Sequence, residues 1–593
     1  MLRALFQGGV HYIISLGSTF AKSFLSKSLS LETSNPSRPH AKRYFVRSIP
    51  AETSSPFALG LAYQWYMSCR ALHKTCKQFK QTPTWHPTRL MDIGIMGDEW
   101  KLCFSSEGRL VSPNYITLSY RWGSKPYLKL SRSNAHQLRH NQPISQLPQT
   151  FKDAVLVARH FSIRYLWIDS ICIIQDSAED WEREAGTMRD VYANSAFSIS
   201  AIVSNDSDDG LFRSREAHEI PPGVLRRRGE GLEPQNYYIC DNEYWNREVG
   251  NAELNRRGWV LQERLLAPRI LHFTQKQIVW ECFTTQKCEG FPIGLPYHHP
   301  LKDFSSLFSR IQRQHPLENK PGMTKDVLRR WLKIVEEYSQ CKITIPGDKL
   351  PALSGIARLF QEATADVYLA GLWKSRLRDS LTWSVRKPAA KLFSAQYRLP
   401  SWSWASIDGA VFASVRGNVN LISIVDAHTT TTTVDPTGQV SEGFLVVKGV
   451  LVEAIYYQTD VKEYHLWRGN GNLNIGDHNL RIRTSADSLD ALAKDSTPLF
   501  CLIMGCVSTR SCSDWYDRIS EEGMFRVAGL FLTRVNSPIC EYERISLFEF
   551  DMSAEDLLEK LGICVAVKGD PGNPEATQAS WSDATVTENI KIV

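Results

Sequence analysis

Residues 115–212 alternate between strand and helix patterns, and this alternation constrains the fold more than any other stretch of the chain. Residues 115–120 are rich in strand-forming side chains, and residues 147–160 carry the apolar stripe of an amphipathic helix. Residues 164–174 are a nearly unbroken run of aromatic and branched residues, typical of a strand covered on both faces. A second amphipathic stripe follows, and residues 196–203 form the last predicted strand. The order is therefore strand, helix, strand, helix, strand.

Two consecutive strand, helix, strand units predict parallel pairing, and hence an α/β fold with an open parallel sheet. Ligands of such sheets bind beyond the carboxyl ends of the strands. Five side chains are predicted at that edge as ligand-binding or catalytic candidates: Ser119, Arg121, Trp122, Asp169 and Asp206. Asp169 is the catalytic candidate among them.

Two interpretations of this edge remain open. In the first, Asp169 binds a ligand at the mouth of its strand, with Arg121 as a cation for phosphates and Trp122 as an aromatic ring for stacking. Alternatively, Arg121 pairs with Asp169 to hold two loops together while Trp122 packs the strand exit. Ion pairs at strand ends are common without catalysis, which favours the structural interpretation.

A second set of candidate ligands precedes this region. Cys69, His73 and Cys76 stand at i, i+4 and i+7 of a helix predicted over residues 57–79, so they share one helical face. They could begin a zinc site with His86 as the fourth ligand. The alternative is a packed apolar face, which the lack of a second cysteine pair favours, and we therefore expect no metal.

Charge and cysteine content limit the classes of function. Residues 1–50 carry seven basic residues and one acidic residue, so the rest of the chain has 62 of each. Residues 51–593 therefore carry no net charge, which argues against nucleic-acid binding. The 13 cysteines are an odd number without the spacing of a disulfide framework, which indicates a reducing compartment, and we expect a cytoplasmic protein without a transmembrane segment. The first 31 residues contain no acid and suggest either a disordered leader or a targeting or membrane-surface segment.

Composition and pattern divide the chain into five predicted regions. The central one is an α/β core, the next an α+β extension with helices, and the last is mostly β. The regions are a disordered leader and linker (1–58), a helix with short strands (59–114), the core (115–215), the extension (216–410) and the β module (411–593).

The motifs LSYRWG, LPQTFKDAV, RYLWIDSICIIQD and VYANSAFSISA resemble the HET domain, the heterokaryon incompatibility domain of filamentous fungi. The similarity extends, in order, over about residues 60–410. The resemblance implies an effector of nonself recognition that promotes a cell-death response through protein partners or self-association.

HET domains also resemble, more remotely, the Toll/interleukin-1 receptor (TIR) domain, a flavodoxin-like module of which some members cleave NAD. This likeness implies an alternative function as an NAD glycohydrolase, with NAD as the ligand. The catalytic glutamate of those relatives lies in a Trp-Cys-x-x-Glu pattern after the third or fourth strand, and this chain has no such string. Glu184, three residues after Trp181, precedes the third strand and is the nearest candidate.

Gln262, Glu263 and Arg264 follow one another in a predicted helix that enters a strand. Neighbouring residues on a helix point in different directions, so these three side chains cannot face one site. Glu263 could reach the edge of the core, but a salt bridge within the helix is the favoured expectation.

Overall fold

The computed structural model divides the chain into two compact units, Met1–Ser309 and Arg310–Val593. The division lies inside the predicted extension of residues 216–410. The structure describes residues 3–7, 10–15, 49–78, 85–108, 110, 112, 114–229, 232–296, 300–304, 307, 322–388, 399–413, 421–462, 468–475, 478–486, 498–508, 524–535, 540–561, 563–567, 577–581 and 587–593.

The first unit contains thirteen strands and seven α-helices among its described residues. Its strands are β1 (Arg3–Gln7), β2 (Val10–Ser15), β3 (Arg89–Asp92), β4 (Glu99–Phe104), β5 (Tyr115–Ser119), β6 (Gln142–Pro143), β7 (Tyr165–Trp167), β8 (Ser198–Ser200), β9 (Val224–Gly229), β10 (Leu232–Asp241), β11 (Arg269–Phe273), β12 (Ile278–Cys282) and β13 (Gln286–Cys288). Its helices are α1 (Pro56–Leu72), α2 (Lys74–Gln78), α3 (Ala135–Leu138), α4 (Gln149–His160), α5 (Asp169–Cys172), α6 (Ala178–Ala193) and α7 (Gly258–Leu266). Short 3-10 helices lie at Ser105–Glu107, Ile144–Gln146, Ala217–Glu219, Leu254–Arg256 and Pro300–Lys302, and a π-helical turn lies at Asn246–Gly250.

A nine-stranded sheet forms the core of this unit, in the order β13-β12-β11-β8-β5-β7-β3-β4-β6. Strands β7, β5, β8 and β11 are parallel, which confirms the parallel core expected from the alternating pattern. The outer strands pair antiparallel, so the sheet is mixed rather than a wholly parallel open sheet. The reason is local: β3 and β4, and likewise β11 and β12, are joined by connections too short for a crossover. The flavodoxin-like and TIR-like assignment stays a prediction.

The middle predicted strand is shorter than expected. Within residues 164–174, the strand β7 ends at Trp167 and the helix α5 begins at Asp169. The Ile168 carbonyl accepts hydrogen bonds from the amides of Ile171 and Cys172, and the Asp169 side chain accepts one from the Ser170 amide. A buried apolar run can therefore turn into a helical segment as long as these backbone groups are paired.

Two strands of the predicted leader, β1 and β2, are among the described residues, and the assignment of residues 1–58 as a leader and linker stays a prediction. These strands pair antiparallel with each other, and β2 pairs in parallel with β10. Val, Ile and Tyr in β2 favour extended backbone, and β10 offers the partner edge. The serine- and proline-rich part of the leader, residues 16–48, lies outside the described residues.

The second unit combines helices with a β-barrel. Its strands are β14 (Tyr368–Leu369), β15 (Leu372–Trp373), β16 (Ser384–Pro388), β17 (Gly409–Phe412), β18 (Ser423–Thr431), β19 (Val440–Gly449), β20 (Leu451–Lys462), β21 (Arg468–Ile475), β22 (His478–Ala486), β23 (Pro498–Ser508), β24 (Met524–Arg534), β25 (Glu541–Ser553), β26 (Ile563–Val567), β27 (Thr577–Trp581) and β28 (Glu588–Ile592). Its helices are α8 (Lys325–Ser339), α9 (Pro351–Thr364), α10 (Leu377–Ser380) and α11 (Ala554–Leu561), with 3-10 helices at Pro346–Asp348, Lys374–Arg376 and Trp404–Ser406.

Six of these strands close the barrel. The order β25-β22-β21-β20-β23-β24 returns to β25 through antiparallel pairing of β24 with β25, which leaves no edge between them. Buried side chains of the strands and of α11, including Val527, Phe531, Phe548 and Leu557, fill one hydrophobic cluster. The mostly-β character expected of the C-terminal region is confirmed.

Among the described residues, no helix combines the length and the apolar character that crossing a membrane requires.

Gly123 follows β5 in a left-handed conformation with φ of 71°. A Cβ atom at this position would lie 2.3 Å from the Cβ of Asp206, in the loop after β8. We therefore predict that Gly123→Ala lowers the free energy of unfolding by about 2 kcal/mol, through backbone strain and displacement of that loop. Urea unfolding of the full chain measures the change.

The matched control is Gly60→Ala in the interior of α1, where an added Cβ meets nothing within 4 Å. Alanine is a better helix former than glycine, so the free energy of unfolding of this variant should rise by up to about 1 kcal/mol. Equal changes in the free energy of unfolding for the two substitutions would contradict the close approach of Gly123 to the loop after β8.

Candidate functional site

A buried carboxyl group lies where β5 ends. Ser119, the last residue of β5, donates its hydroxyl to Glu263 Oε2 at 2.5 Å, and the Tyr192 hydroxyl donates to the same oxygen at 2.8 Å. All three residues are buried. The salt bridge expected for Glu263 within α7 is therefore wrong: its described hydrogen bonds come from two hydroxyls of the α/β core.

The neighbouring strand β7 presents a second carboxyl group at the same edge. Trp122 Nε1 donates to Asp169 Oδ2 at 2.9 Å, and the Ser170 amide donates to Asp169 Oδ1 at 2.7 Å. The expected Arg121–Asp169 pair is not the contact described, because Arg121 donates to Asn205 Oδ1 at 3.0 Å instead. The hydrogen bond from the Trp122 indole to Asp169 thus joins the loop after β5 to the segment after β7.

Tyrosines and cations surround these two acids. The Tyr120 hydroxyl donates to Ser170 Oγ at 2.7 Å and lies 2.9 Å from the hydroxyl of Tyr127. Lys129 Nζ lies 4.4 Å from the centre of the Trp122 ring, a cation–π distance. Arg257, just before α7, donates to the Tyr120 carbonyl at 2.8 Å. The edge therefore combines two carboxyls, aromatic rings and two cationic side chains.

Burial changes the acidity of both carboxyl groups. It raises the pKa of Asp169, against the hydrogen bond from Trp122 and the charge of Arg257. It also raises the pKa of Glu263, against the hydroxyls of Ser119 and Tyr192, and the negative charge of Asp169 adds to this rise. Two interacting acids that resist ionisation are a recurrent feature of sites for acid–base chemistry.

The third strand brings Asp206 to the same edge, but in a more polar setting. Asp206 pairs with Lys125 at 3.3 Å and accepts a hydrogen bond from the Asp208 amide at 2.8 Å. These contacts order the loop that packs against Gly123. Asp206 thus contacts Lys125 and lies beside Gly123, whereas Ser119 and Trp122 donate hydrogen bonds to the carboxyl groups of Glu263 and Asp169.

Glu184 lies in a different polar cluster. Its Oε1 is 3.2 Å from Arg89 NH2, and the same guanidinium nitrogen donates to Asp180 at 2.6 Å. Arg89 also donates through Nε to the Cys172 carbonyl at 2.6 Å. These contacts connect α6 with β3 and α5, and the catalytic role considered for Glu184 stays a prediction.

The predicted metal-ligand candidates come together away from this edge. Ligand atoms of Cys69, His73 and Cys76 lie within 4.8 Å of one another and of Cys282. The fourth member is thus a residue of β12 rather than His86.

Sequence patterns favour a salt bridge for Glu263 over a contact with the core, and they do not single out Tyr192, Tyr127 or Arg257. One signal for Glu263 was available, because residues 258–266 read GWVLQERLL, with apolar residues on both sides of the acid. Such a helix is buried all round, and a buried glutamate needs hydrogen-bond donors from elsewhere in the fold. Nothing local identifies those donors.

Comparison with known proteins gives one match. The family model described as "Heterokaryon incompatibility protein (HET)" matches residues 115–263. Neither the curated proteins nor the solved structures contain a match. The matched segment begins with the first residue of β5 and ends at Glu263, so it includes both partners of the Ser119–Glu263 hydrogen bond.

The raised pKa of Glu263 has a consequence for stability. A buried acid with a raised pKa stabilises the folded state fully only below its unfolded-state pKa of about 4.3, and this contribution is lost as the pH rises through the folded-state pKa. Glu263→Gln keeps an oxygen acceptor for the hydroxyls and cannot ionise. We predict that the variant becomes progressively more stable than the wild type as the pH is raised from 4 to 8.

Urea unfolding at a series of pH values measures this difference. The control is Glu182→Gln on the exposed face of α6, for which the stability difference from the wild type should stay nearly constant. A Glu263→Gln curve parallel to the wild-type curve would mean that the carboxyl ionises as freely in the folded state as in the unfolded state.

Proposed function

The chain carries a heterokaryon incompatibility domain at residues 115–263, and from this we propose that it is an effector of fungal nonself recognition that promotes cell death in the cytoplasm. The match of the α/β core to this family is the observation that supports the proposal. The effector is expected to act through protein partners or self-association.

A second, chemical proposal concerns how the domain acts. We propose that the edge formed by Ser119, Trp122, Asp169 and Glu263 hydrolyses the N-glycosidic bond of NAD or a related nucleotide. The observation that favours it is the convergence of two acids with raised pKa at the carboxyl ends of parallel strands. Ligands of α/β sheets bind at this position.

Each group has a role in this reaction. The bond between ribose C1′ and the nicotinamide nitrogen breaks, and nicotinamide leaves as a neutral base with the bonding electron pair. The Glu263 carboxylate stabilises the positive charge that develops on the ribose. A water molecule adds its oxygen to C1′ and gives its proton to Asp169, which passes it to solvent. Trp122 stacks on a base, while Lys129 and Arg257 attract the phosphates.

The Ser119 and Tyr192 hydroxyls prepare Glu263 for this role. Both donate to the same carboxylate oxygen and so hold the side chain in one orientation before a substrate arrives. Preorganised groups of this kind do not need to reorient during the reaction. Their hydrogen bonds lower the pKa of Glu263, whereas burial raises it, and the effect of burial is the larger one.

Nicotinamide release from NAD tests the chemical proposal. Purified full-length protein should release nicotinamide, measured by chromatography over a range of protein concentrations that permits self-association. Glu263→Gln and Asp169→Asn should each lower the rate at least about 100-fold, because each removes a charge that the reaction needs. The control Glu182→Gln, on an exposed helix face, should keep the wild-type rate. No release by the wild type at any concentration would refute the chemistry.

Growth of a filamentous fungus tests the effector proposal. Induced expression of the full chain should arrest growth and kill cells, as judged by a vital dye. If Glu263→Gln, expressed to the same level, abolishes killing, the chemistry carries the effect. Killing by both forms would assign the response to protein contacts, whereas full viability with confirmed wild-type expression would contradict the effector role.

A further inference from the structure

Three thiols and one imidazole meet at one point in the first unit. The Sγ atoms of Cys69, Cys76 and Cys282 and a ring nitrogen of His73 all lie within 4.8 Å of one another. The three cysteines are buried and His73 is half-buried. Three residues come from a stretch of eight, and the fourth lies more than 200 positions later.

A break in the helix makes this convergence. Instead of one helix over residues 57–79, α1 ends at Leu72 and α2 begins at Lys74. His73 between them has an extended backbone, with φ of −88° and ψ of 102°, and its amide donates to the Cys69 carbonyl at 3.1 Å. The chain therefore turns at His73.

The separations suit a metal ion. Cys282 Sγ and His73 Nδ1 lie 3.3 Å apart. In a tetrahedral zinc site with Zn–S bonds of about 2.3 Å and Zn–N bonds of about 2.0 Å, sulfur and nitrogen ligands are about 3.5 Å apart and two sulfurs about 3.8 Å. Small rotations of the side chains would thus bring all four atoms to a common centre.

We propose that Cys69, His73, Cys76 and Cys282 bind one zinc ion. Soft thiolates with a single imidazole select zinc over magnesium or calcium, which prefer oxygen ligands. Four protein ligands leave no open coordination position, so the site is structural rather than catalytic.

Nearby cations match the charge of such a site. Zinc with three thiolates and a neutral imidazole has a net charge of −1. Arg269 donates through Nε to Cys69 Sγ at 3.2 Å and through NH2 to the Cys76 carbonyl at 3.3 Å. Lys302, 1% exposed, lies 5.4 Å from the Phe283 ring, near Cys282 and Cys76. A ligand sphere that carries a negative charge would stabilise both buried cations, in addition to the Glu281 carboxylate that interacts with Lys302.

The ion would connect segments on both sides of the matched domain. Cys69, His73 and Cys76 precede residue 115, and Cys282 follows residue 263. Trp65 of α1 already donates to the Pro292 carbonyl at 2.9 Å, and Tyr66 packs against Phe161 and Phe197. Zinc would thus fasten α1 and α2 to the end of β12, closing the chain around the α/β core.

Metal content of the full chain tests this proposal. Protein purified without metal-affinity resin should contain about one zinc ion per chain, as measured by inductively coupled plasma mass spectrometry. Cys282→Ser and His73→Ala should lose most of it. Cys288→Ser, a buried cysteine of β13 outside the group, should keep it. Cobalt exchanged for zinc should give the absorption of a tetrahedral thiolate site, which His73→Ala would alter.

Alkylation of the wild type keeps the test independent of whether the variants fold. The three cysteines should resist iodoacetamide in the native protein and react after a strong chelator is added, and the chelator should lower the melting temperature. A folded wild type without stoichiometric metal would overturn the proposal, as would a disulfide between two of these cysteines. Another bound transition metal would overturn the assignment to zinc.

Discussion

The burial of Glu263 is the constraint on which the rest of the α/β edge depends. An ionisable group this far from water is tolerated only with hydrogen-bond donors around it, and Ser119 and Tyr192 supply them. These bonds tie α7 to the end of β5 and to α6. Because β5 lies at the centre of the parallel strands, the position of α7 sets the shape of the edge where the loops after β5, β7 and β8 meet.

The other side of α7 is held by an ion pair. Arg264, the next residue, donates through Nε and NH2 to the two carboxylate oxygens of Glu281, at 2.9 and 3.0 Å, and His272 lies 3.0 Å from one of them. Burial alone would raise the pKa of Glu281, but Arg264 and His272 hold it well below its usual range. Glu263 has hydroxyl partners instead, and its pKa is raised. One helix thus lies between a carboxylate that remains charged and a carboxyl that can take up a proton.

Much of this edge could be predicted from the sequence. Strand and helix periodicity places Ser119, Trp122 and Asp169 just beyond parallel strands, and all three lie there. Their partners could not be predicted in the same way. Arg121 and Trp122 are adjacent, and which of them reaches Asp169 depends on a backbone turn at Gly123 and on the approach of the β8 loop. Glu184 has suitable spacing from Trp181, but it faces Arg89 because α6 presents that side to β3.

The sequence by itself determined the parallel α/β core, the β-rich C-terminal region and the resemblance to HET domains, because periodicity and motifs are local properties of the chain. Only the tertiary structure decided that Glu263 joins Ser119, and that Cys282 joins Cys69, His73 and Cys76. Both contacts link residues more than 140 positions apart in the chain. Their physical reason is the same: a buried polar side chain needs partners, and its partners are set by which elements pack together rather than by the residues beside it.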